Sequence, residues 1–313
     1  MRCPRLDHFV RFNPNGTVSR CGHMVSPAQF DTLEEMDSSV WLRKIREQLD
    51  IDVWPAECRR CQQTESVNGT SIRLNAIAFN ELQPTQDYLI VGGVLDNVCN
   101  SACYTCNEHL STKIGSLKSK TYTIINNTNR FWELPVDRIT HLDINGGEPS
   151  ASKNYKKILA NLPKNVRSIR VNTNGSLFIE ELEAVVARGI EVTVTVSLDG
   201  IGSVHDYIRW PIKWDRVREN IFRYKDMPIK ELNTWTTVSA LNVNHLPSIQ
   251  QFCQENRILH SWALLHAPDP LNVKYQNSFT MTARDIIPGQ VAVDRNNQAE
   301  LDEFLFEQDS LRK

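Results

Sequence analysis

Tyr88-Leu-Ile-Val-Gly-Gly-Val-Leu95 is a short apolar run, separated by three residues from Cys99-Asn-Ser-Ala-Cys103-Tyr-Thr-Cys106. The first reads as a buried strand, the second as the loop at its C-terminal end. Three cysteines in a C-x3-C-x2-C run can cap three irons of a cubane and leave the fourth iron without a protein ligand. A cluster kept only for electron transfer normally takes four cysteines. The open position therefore points to something that reacts there. The alternative is structural zinc, which usually wants four ligands at C-x2-C-like spacing, with His109 the candidate fourth.

Outward from this stretch the chain alternates. Apolar, β-branched runs at 88–95, 139–144, 167–172, 190–197, 234–240 and 261–266 predict six strands. Helical patterns lie between several of them. Ile179, Leu182, Val185 and Val186 share one face before a capping Gly189, and Leu246, Ile249, Phe252 and Cys253 form another. Strands alternating with helices imply parallel βαβ units closing partly or fully into a barrel. Such barrels carry chemistry at the C-terminal ends of their strands. Those ends hold Cys99, Gly146-Gly-Glu-Pro149, Asn172-Thr-Asn-Gly175 and Ser197-Leu-Asp-Gly200. Cys253, on an apolar helix face, reads as a core thiol.

Composition sets bounds. The 313 residues are 41% hydrophobic and 23% charged, ordinary for a soluble globular enzyme. A net charge of -2 supplies no general basic surface for nucleic acid. No apolar run approaches the roughly 18 residues that span a bilayer, and the N-terminus has no apolar core of the kind a secretion signal needs. The eight cysteines are therefore read in a reducing compartment, the cytoplasm, as ligands rather than disulfides.

Four more cysteines lie near the N-terminus: Cys3, Cys21 and the pair Cys58-Arg-Arg-Cys61. Phe9–Phe12 and Thr17–Ser19 flank Asn13-Pro-Asn-Gly16 as a hairpin, and Trp41, Ile45 and Leu49 recur as a helix over 40–49. Four thiolates converging from a hairpin and a helix end suit an iron–sulfur cluster or zinc. The expected organisation is a cysteine-rich module at 1–62, a polar connector at 63–86, the barrel at 87–270 and a C-terminal extension at 271–313 packing on it through Leu301, Phe304 and Leu305.

With Cys99-x3-Cys103-x2-Cys106 after one strand and Asn145-Gly-Gly-Glu-Pro149 after the next, residues 87–270 resemble the radical S-adenosylmethionine (radical SAM) superfamily. The resemblance implies an α/β fold, a partial (β/α)6 TIM-like barrel with a 4Fe–4S cluster near its mouth. SAM would bind the cysteine-free iron through its amine and carboxylate. One electron would cleave it to methionine and a 5′-deoxyadenosyl radical that abstracts hydrogen from substrate. By the same resemblance Gly146, Gly147, Glu148 and Pro149 face the amino group of SAM, with Glu148 the charged partner. Asn172 or Asn174 reaches SAM or substrate, Ser197 and Asp199 the ribose, and Arg209, in His205-Asp-Tyr-Ile-Arg209, the carboxylate. Val238 and Leu265 are candidates to line the adenine pocket. The family usually places an aromatic residue just before the third cysteine; here Thr105 stands there, with Tyr104 one residue earlier.

The N-terminal cysteines look like the auxiliary-cluster modules called SPASM or twitch, which in most relatives follow the barrel. The expected function is modification of a peptide or protein by oxidation, epimerisation or cross-linking, as in anaerobic sulfatase-maturating and peptide-maturing enzymes. A flavodoxin- or ferredoxin-type donor would supply the electron. A nucleoside, tRNA base or sugar is the alternative substrate, and a non-catalytic zinc-binding module the second alternative. No catalytic acid, base or hydrogen donor is singled out.

Overall fold

A computed structural model describes residues 1–119, 121–273 and 298–312. All six expected strands form: β3 (Leu89–Val94), β4 (Ile139–Asn145), β5 (Ser168–Thr173), β6 (Glu191–Ser197), β7 (Glu231–Val238) and β8 (Leu259–Leu264). They are parallel neighbours in chain order. The expected hairpin forms too, as β1 (Phe9–Phe12) and β2 (Val18–Ser19). It is not a separate module. β1 pairs parallel with β3, giving one eight-stranded sheet in the order β2-β1-β3-β4-β5-β6-β7-β8. β2 and β8 are its two ends, so the sheet is open and full closure into a barrel does not occur.

The first helices are α1 (Arg5–His8), α2 (Leu33–Ser38) and α3 (Val40–Asp50). α3 buries Leu42, Ile45 and Leu49, one residue off the expected Trp41 stripe at its start. The stretch read as a polar connector is mostly helical, as α4 (Arg59–Asn68) and α5 (Ile72–Glu81). Ser71 caps α5 by accepting from the Leu74 N–H, and left-handed Gly69 ends α4. Neither helix has a fully buried residue, which is why periodicity did not reveal them.

Next come α6 (Thr112–Lys118), α7 (Thr128–Glu133), α8 (Lys153–Ala160), α9 (Glu181–Ala187), α10 (Ser203–Ile208), α11 (Trp214–Asp226) and α12 (Leu246–Glu255). One sheet face, with Val91, Leu142, Ile144, Val171, Val192, Val194 and Val196, is at most 1% exposed. It shares one core with Leu159, Leu182, Val185, Val217, Ile221 and Cys253, the last being the expected core thiol. Burying a Val or Leu contributes about 1.5–3 kcal/mol, so this layer fixes strand register. The last helix, α13 (Gln298–Leu311), buries Leu301, which clusters with Tyr104, Leu265 and Leu271. Residues 274–297 of the C-terminal extension lie outside the described residues.

Candidate functional site

The loop leaving β3 carries the three cysteines, and polar side chains hold it on every side. Buried Asp96 accepts from the Val98 N–H and from Ser152 Oγ at 2.8 Å, tying the start of the loop to the N-terminal cap of α8. Asn97 accepts from the Ile125 N–H at 2.8 Å and donates to the carbonyls of His109 and Thr123. The Cys99 N–H donates to Thr112 Oγ1 at 3.1 Å, and Ser111 Oγ donates to the Ser101 carbonyl at 2.6 Å. Asn100 Nδ2 donates to Ser176 Oγ, and Asn174 Nδ2 to Asn100 Oδ1, both at 2.9 Å. Sequence reasoning named Asn174 but missed Asp96, Asn97, Asn100 and Ser101. Their signal was a run of turn-forming Asp, Asn and Ser directly after a strand.

Gly146 and Gly147 have φ of +81° and +46°. A Cβ on Gly147 would stand 2.6 Å from the Val98 carbonyl oxygen, and one on Gly146 3.0 Å from that of Asp96. The two glycines thus let the turn after β4 pack directly on the cysteine loop, and the Glu148 N–H donates to the Val98 carbonyl at 2.7 Å. Glu148 itself is 1% exposed. Its carboxylate accepts from Ser150 N–H and Oγ, Thr173 Oγ1 and the Asn174 N–H. Burial pushes its carboxyl up despite these four donors. The expected charged partner of SAM is therefore fully engaged in joining the ends of β4 and β5. Pro149 is buried in the same turn.

At the neighbouring strand ends, Asn172 Nδ2 donates to Asn145 Oδ1. Ser197 is half-buried and in register with Trp235. Asp199 is fully buried: Oδ1 accepts from the Thr237 N–H at 2.9 Å, and Oδ2 pairs with Arg209 Nη2 at 2.7 Å. Arg209 also lies with Nη1 3.8 Å from Cys103 Sγ. Burial works against its cation, but Asp199 and the thiols of Cys103 and Cys106 outweigh that and raise its pKa. Asp199 is thus chiefly the counter-ion that sets Arg209 beside the cysteine loop, leaving Ser197 the freer hydroxyl. Tyr104 is 2% exposed and turned toward α13, donating to Asp309. Val238 and Leu265 are both buried, in separate apolar clusters.

The four N-terminal cysteines do converge. Cys3, Cys21, Cys58 and Cys61 line one small cavity with His23, Arg73 and Ile72 of α5. Burial, then the neighbouring thiols, push Cys3 and Cys58 up to about 12, and Cys106 likewise; Cys99 is raised by the same causes. Such thiols ionise by binding metal, so ligation and proton release are one event. All eight cysteines are free. Zinc bound at about 2.3 Å would draw its sulfurs to within roughly 4 Å of one another. Among the described residues no three His, Cys, Asp or Glu side chains form such a group, and His109 is exposed.

The sheet face opposite the apolar core is polar. Asp143, Arg170, Thr193 and Glu231 stand in one row, Asn172, Thr195 and Asn233 in the next, then Ser197 and Trp235. Asp143 and Arg170 are 3.9 Å apart, and Trp235 is 39% exposed. A closed barrel of this class fills its interior with Val, Ile and Leu; a hydrogen-bonding interior is a binding surface. At its lower end a cavity of about 720 Å³ separates it from Phe79 and other residues of α5. Tyr88 stacks on His8 and Phe79 meets His141 edge-on at one wall of that cavity.

The sequence profile of the Radical SAM superfamily matches residues 95–248, from the start of the cysteine loop into α12. Residues 95–248 are a radical SAM domain, and the chain is an enzyme. A 7-carboxy-7-deazaguanine synthase of Aquifex aeolicus (strain VF5) is 32% identical over 95 residues, 30% of this chain. The match spans 40% of that relative's length. Among solved structures, Streptococcus suis SuiB bound to S-adenosylmethionine is 13% identical, covering 97% of this chain and 69% of that one, with a TM-score of 0.45. SuiB bound to its precursor peptide SuiA is 14% identical, covering 100% of this chain and 71% of that one, with a TM-score of 0.44.

The family implies a 4Fe–4S cluster and SAM, and the residues fit both. Three free, half-buried thiols sit on one rigid loop at a strand end, with the Arg209 cation beside them. The polar sheet face opens beside that loop.

Proposed function

We propose that this radical SAM enzyme takes a hydrogen atom from a peptide or protein substrate, with oxidation, epimerisation or cross-linking as the outcome. Cys99, Cys103 and Cys106 hold the cluster, and SAM takes its open iron. When bound, this pair supplies a one-electron cleavage of the sulfonium, and with it a 5′-carbon oxidant strong enough to break a C–H bond. The chain's own residues do the rest. Asp96, Asn97, Asn100 and Ser101 fix the loop; Arg209, oriented by Asp199, meets the SAM carboxylate, and Ser197 the ribose. Asn145 and Asn172 face whatever lies against the strand ends.

The observation that carries the peptide reading is the open polar face. Its carboxamides offer both donors and acceptors, as a peptide backbone does, and exposed Trp235 gives an apolar platform beside Ser197. Cys3, Cys21, Cys58 and Cys61 are assigned an auxiliary 4Fe–4S cluster, a reading supported by four free thiols lining one cavity and by the likeness of their sequence to SPASM and twitch modules. A flavodoxin- or ferredoxin-type protein is the assigned electron donor. Eight free thiols are in keeping with a cytoplasmic setting, and among the described residues no helix is long and apolar enough to cross a membrane.

One observation favours a second reading. The relative at 32% identity is a 7-carboxy-7-deazaguanine synthase, so a nucleoside-like heterocycle, tRNA base or sugar is the competing substrate. Incubating the reconstituted enzyme with SAM and deuterated peptide or nucleoside panels separates the two. Deuterium arriving in 5′-deoxyadenosine from peptides supports our reading; transfer from nucleosides alone overturns it.

A further inference from the structure

The last helix reaches back to the cysteine loop from more than two hundred positions away in sequence. Arg312, directly after α13, donates through Nη2 to the carbonyl of Ala102 and through Nη1 to that of Tyr207 at 3.0 Å. Its guanidinium lies 3.6 Å from the centre of the Tyr104 ring and 5.9 Å from that of Trp210. Ala102 and Tyr104 are the two neighbours of Cys103, so the cation meets a backbone carbonyl on one side of that ligand and an aromatic ring on the other. Its charge is close enough to Cys103 for the two to interact.

A carboxylate holds the ring on which this cation lies. Asp309, one turn earlier, accepts from Tyr104 Oη and, at 3.3 Å, from Tyr207 Oη. Beneath them Leu301 packs with Tyr104, Leu265 and Leu271, and half-buried Phe304 and Leu305 join the cluster. The apolar side of α13 seats the helix, and its Asp309–Arg312 end holds the loop. Arg209, paired with Asp199, is the other cation at Cys103, and Glu148 is a buried carboxyl whose charge bears on Cys99. Arg312 is distinct from both because it comes from outside the radical SAM domain.

We infer that Arg312, with Asp309 as its counter-charge, is a positioning residue that sets the reduction potential of the cluster on Cys99, Cys103 and Cys106. The inference rests on the reading that these thiols carry a cluster. Reduction adds one negative charge to the cluster, and a fixed cation beside a ligand stabilises the reduced form while a fixed anion does the reverse. The two residues therefore act with opposite sign, whereas a purely packing role would move both variants the same way.

The test is a potentiometric titration, followed by EPR, of the full chain after anaerobic reconstitution. The signal monitored is the one that changes on adding SAM. R312Q is expected to make reduction tenfold or more less favourable, which is 59 mV downward for one electron. D309N is expected to shift the potential upward, and R312K to stay near wild type. If R312Q sheds its iron, D309N and R312K, which keep the cation, decide the matter. R312Q or D309N at the wild-type potential, or the two moving in the same direction, overturns the inference alone. A wild-type chain with no SAM-responsive signal overturns the cluster reading, and this inference with it.

Discussion

Replacing Glu148 by Gln separates two roles for a carboxylate that is only 1% exposed beside the cysteine loop. In the wild type, Oε1 accepts from Ser150 N–H at 3.0 Å, Ser150 Oγ at 2.6 Å and Thr173 Oγ1 at 2.6 Å, while Oε2 accepts from the Asn174 N–H at 2.6 Å. The amide best keeps its oxygen toward the three donors, which turns its NH2 against the Asn174 N–H. One buried donor is then orphaned at a cost of about 1–3 kcal/mol, and the other three bonds fall from charge-assisted to neutral, roughly halving them. Removing a buried charge offsets part of this. The net expectation is a loss of about 2 kcal/mol, near thirtyfold in the unfolding equilibrium. Urea denaturation of the apo chain reads that change, and equilibrium binding to the iron-loaded chain reads the affinity for SAM. Stability should fall while that affinity moves less than about threefold, a change of under 1 kcal/mol. Unchanged stability with SAM affinity down tenfold or more would refute the reasoning and restore Glu148 as the partner of the SAM amine.

Gly147→Ala should cost more than about 3 kcal/mol, because a positive φ is combined with a Cβ 2.6 Å from the Val98 carbonyl oxygen; thermal melts of the soluble fraction check it. Cys58→Ala should halve the iron of the reconstituted chain, from about eight to about four atoms, and leave the SAM-responsive EPR signal in place. His141 is held neutral by burial, and next by Arg167, with its pKa pushed down to about 4 against 6.5 when unfolded. Its folded-state pKa is the lower one, so the stability present above pH 6.5 is lost as pH falls toward 4. The contribution is up to about 3 kcal/mol, and urea midpoints from pH 7 to pH 4 should fall less steeply in His141→Asn.

The sequence was most legible where burial imposes a period. Val91, Val171, Val192, Val194 and Val196 are apolar because helices cover them, and every strand they announced is present. The cysteine runs were legible because ligand spacing is local. What stayed hidden depends on contacts between distant segments. α4 and α5 read as connector because their polar surfaces mask the faces turned to the cysteine cavity and the sheet. Nothing in Phe9–Phe12 says that it adds to β3 rather than standing in a module of its own. Glu148 and Asp199 stand out in the sequence as carboxylates at strand ends, but Thr173 and Thr237, which donate to them, come from strands 25 to 40 residues away, so their tasks needed the fold. Tyr104 stands one residue early for the family's usual aromatic, and only α13 shows what it faces.

The central claim is that Cys99, Cys103 and Cys106 leave one iron free to bind and split SAM. The most direct measurement is 5′-deoxyadenosine formation by the anaerobically reconstituted full chain, given SAM and dithionite, beside the Cys103→Ala variant. Deoxyadenosine from the wild type and none from the variant is the predicted result. An iron-loaded wild type that leaves SAM intact, or loop thiolates that take up one zinc in place of iron, would contradict it.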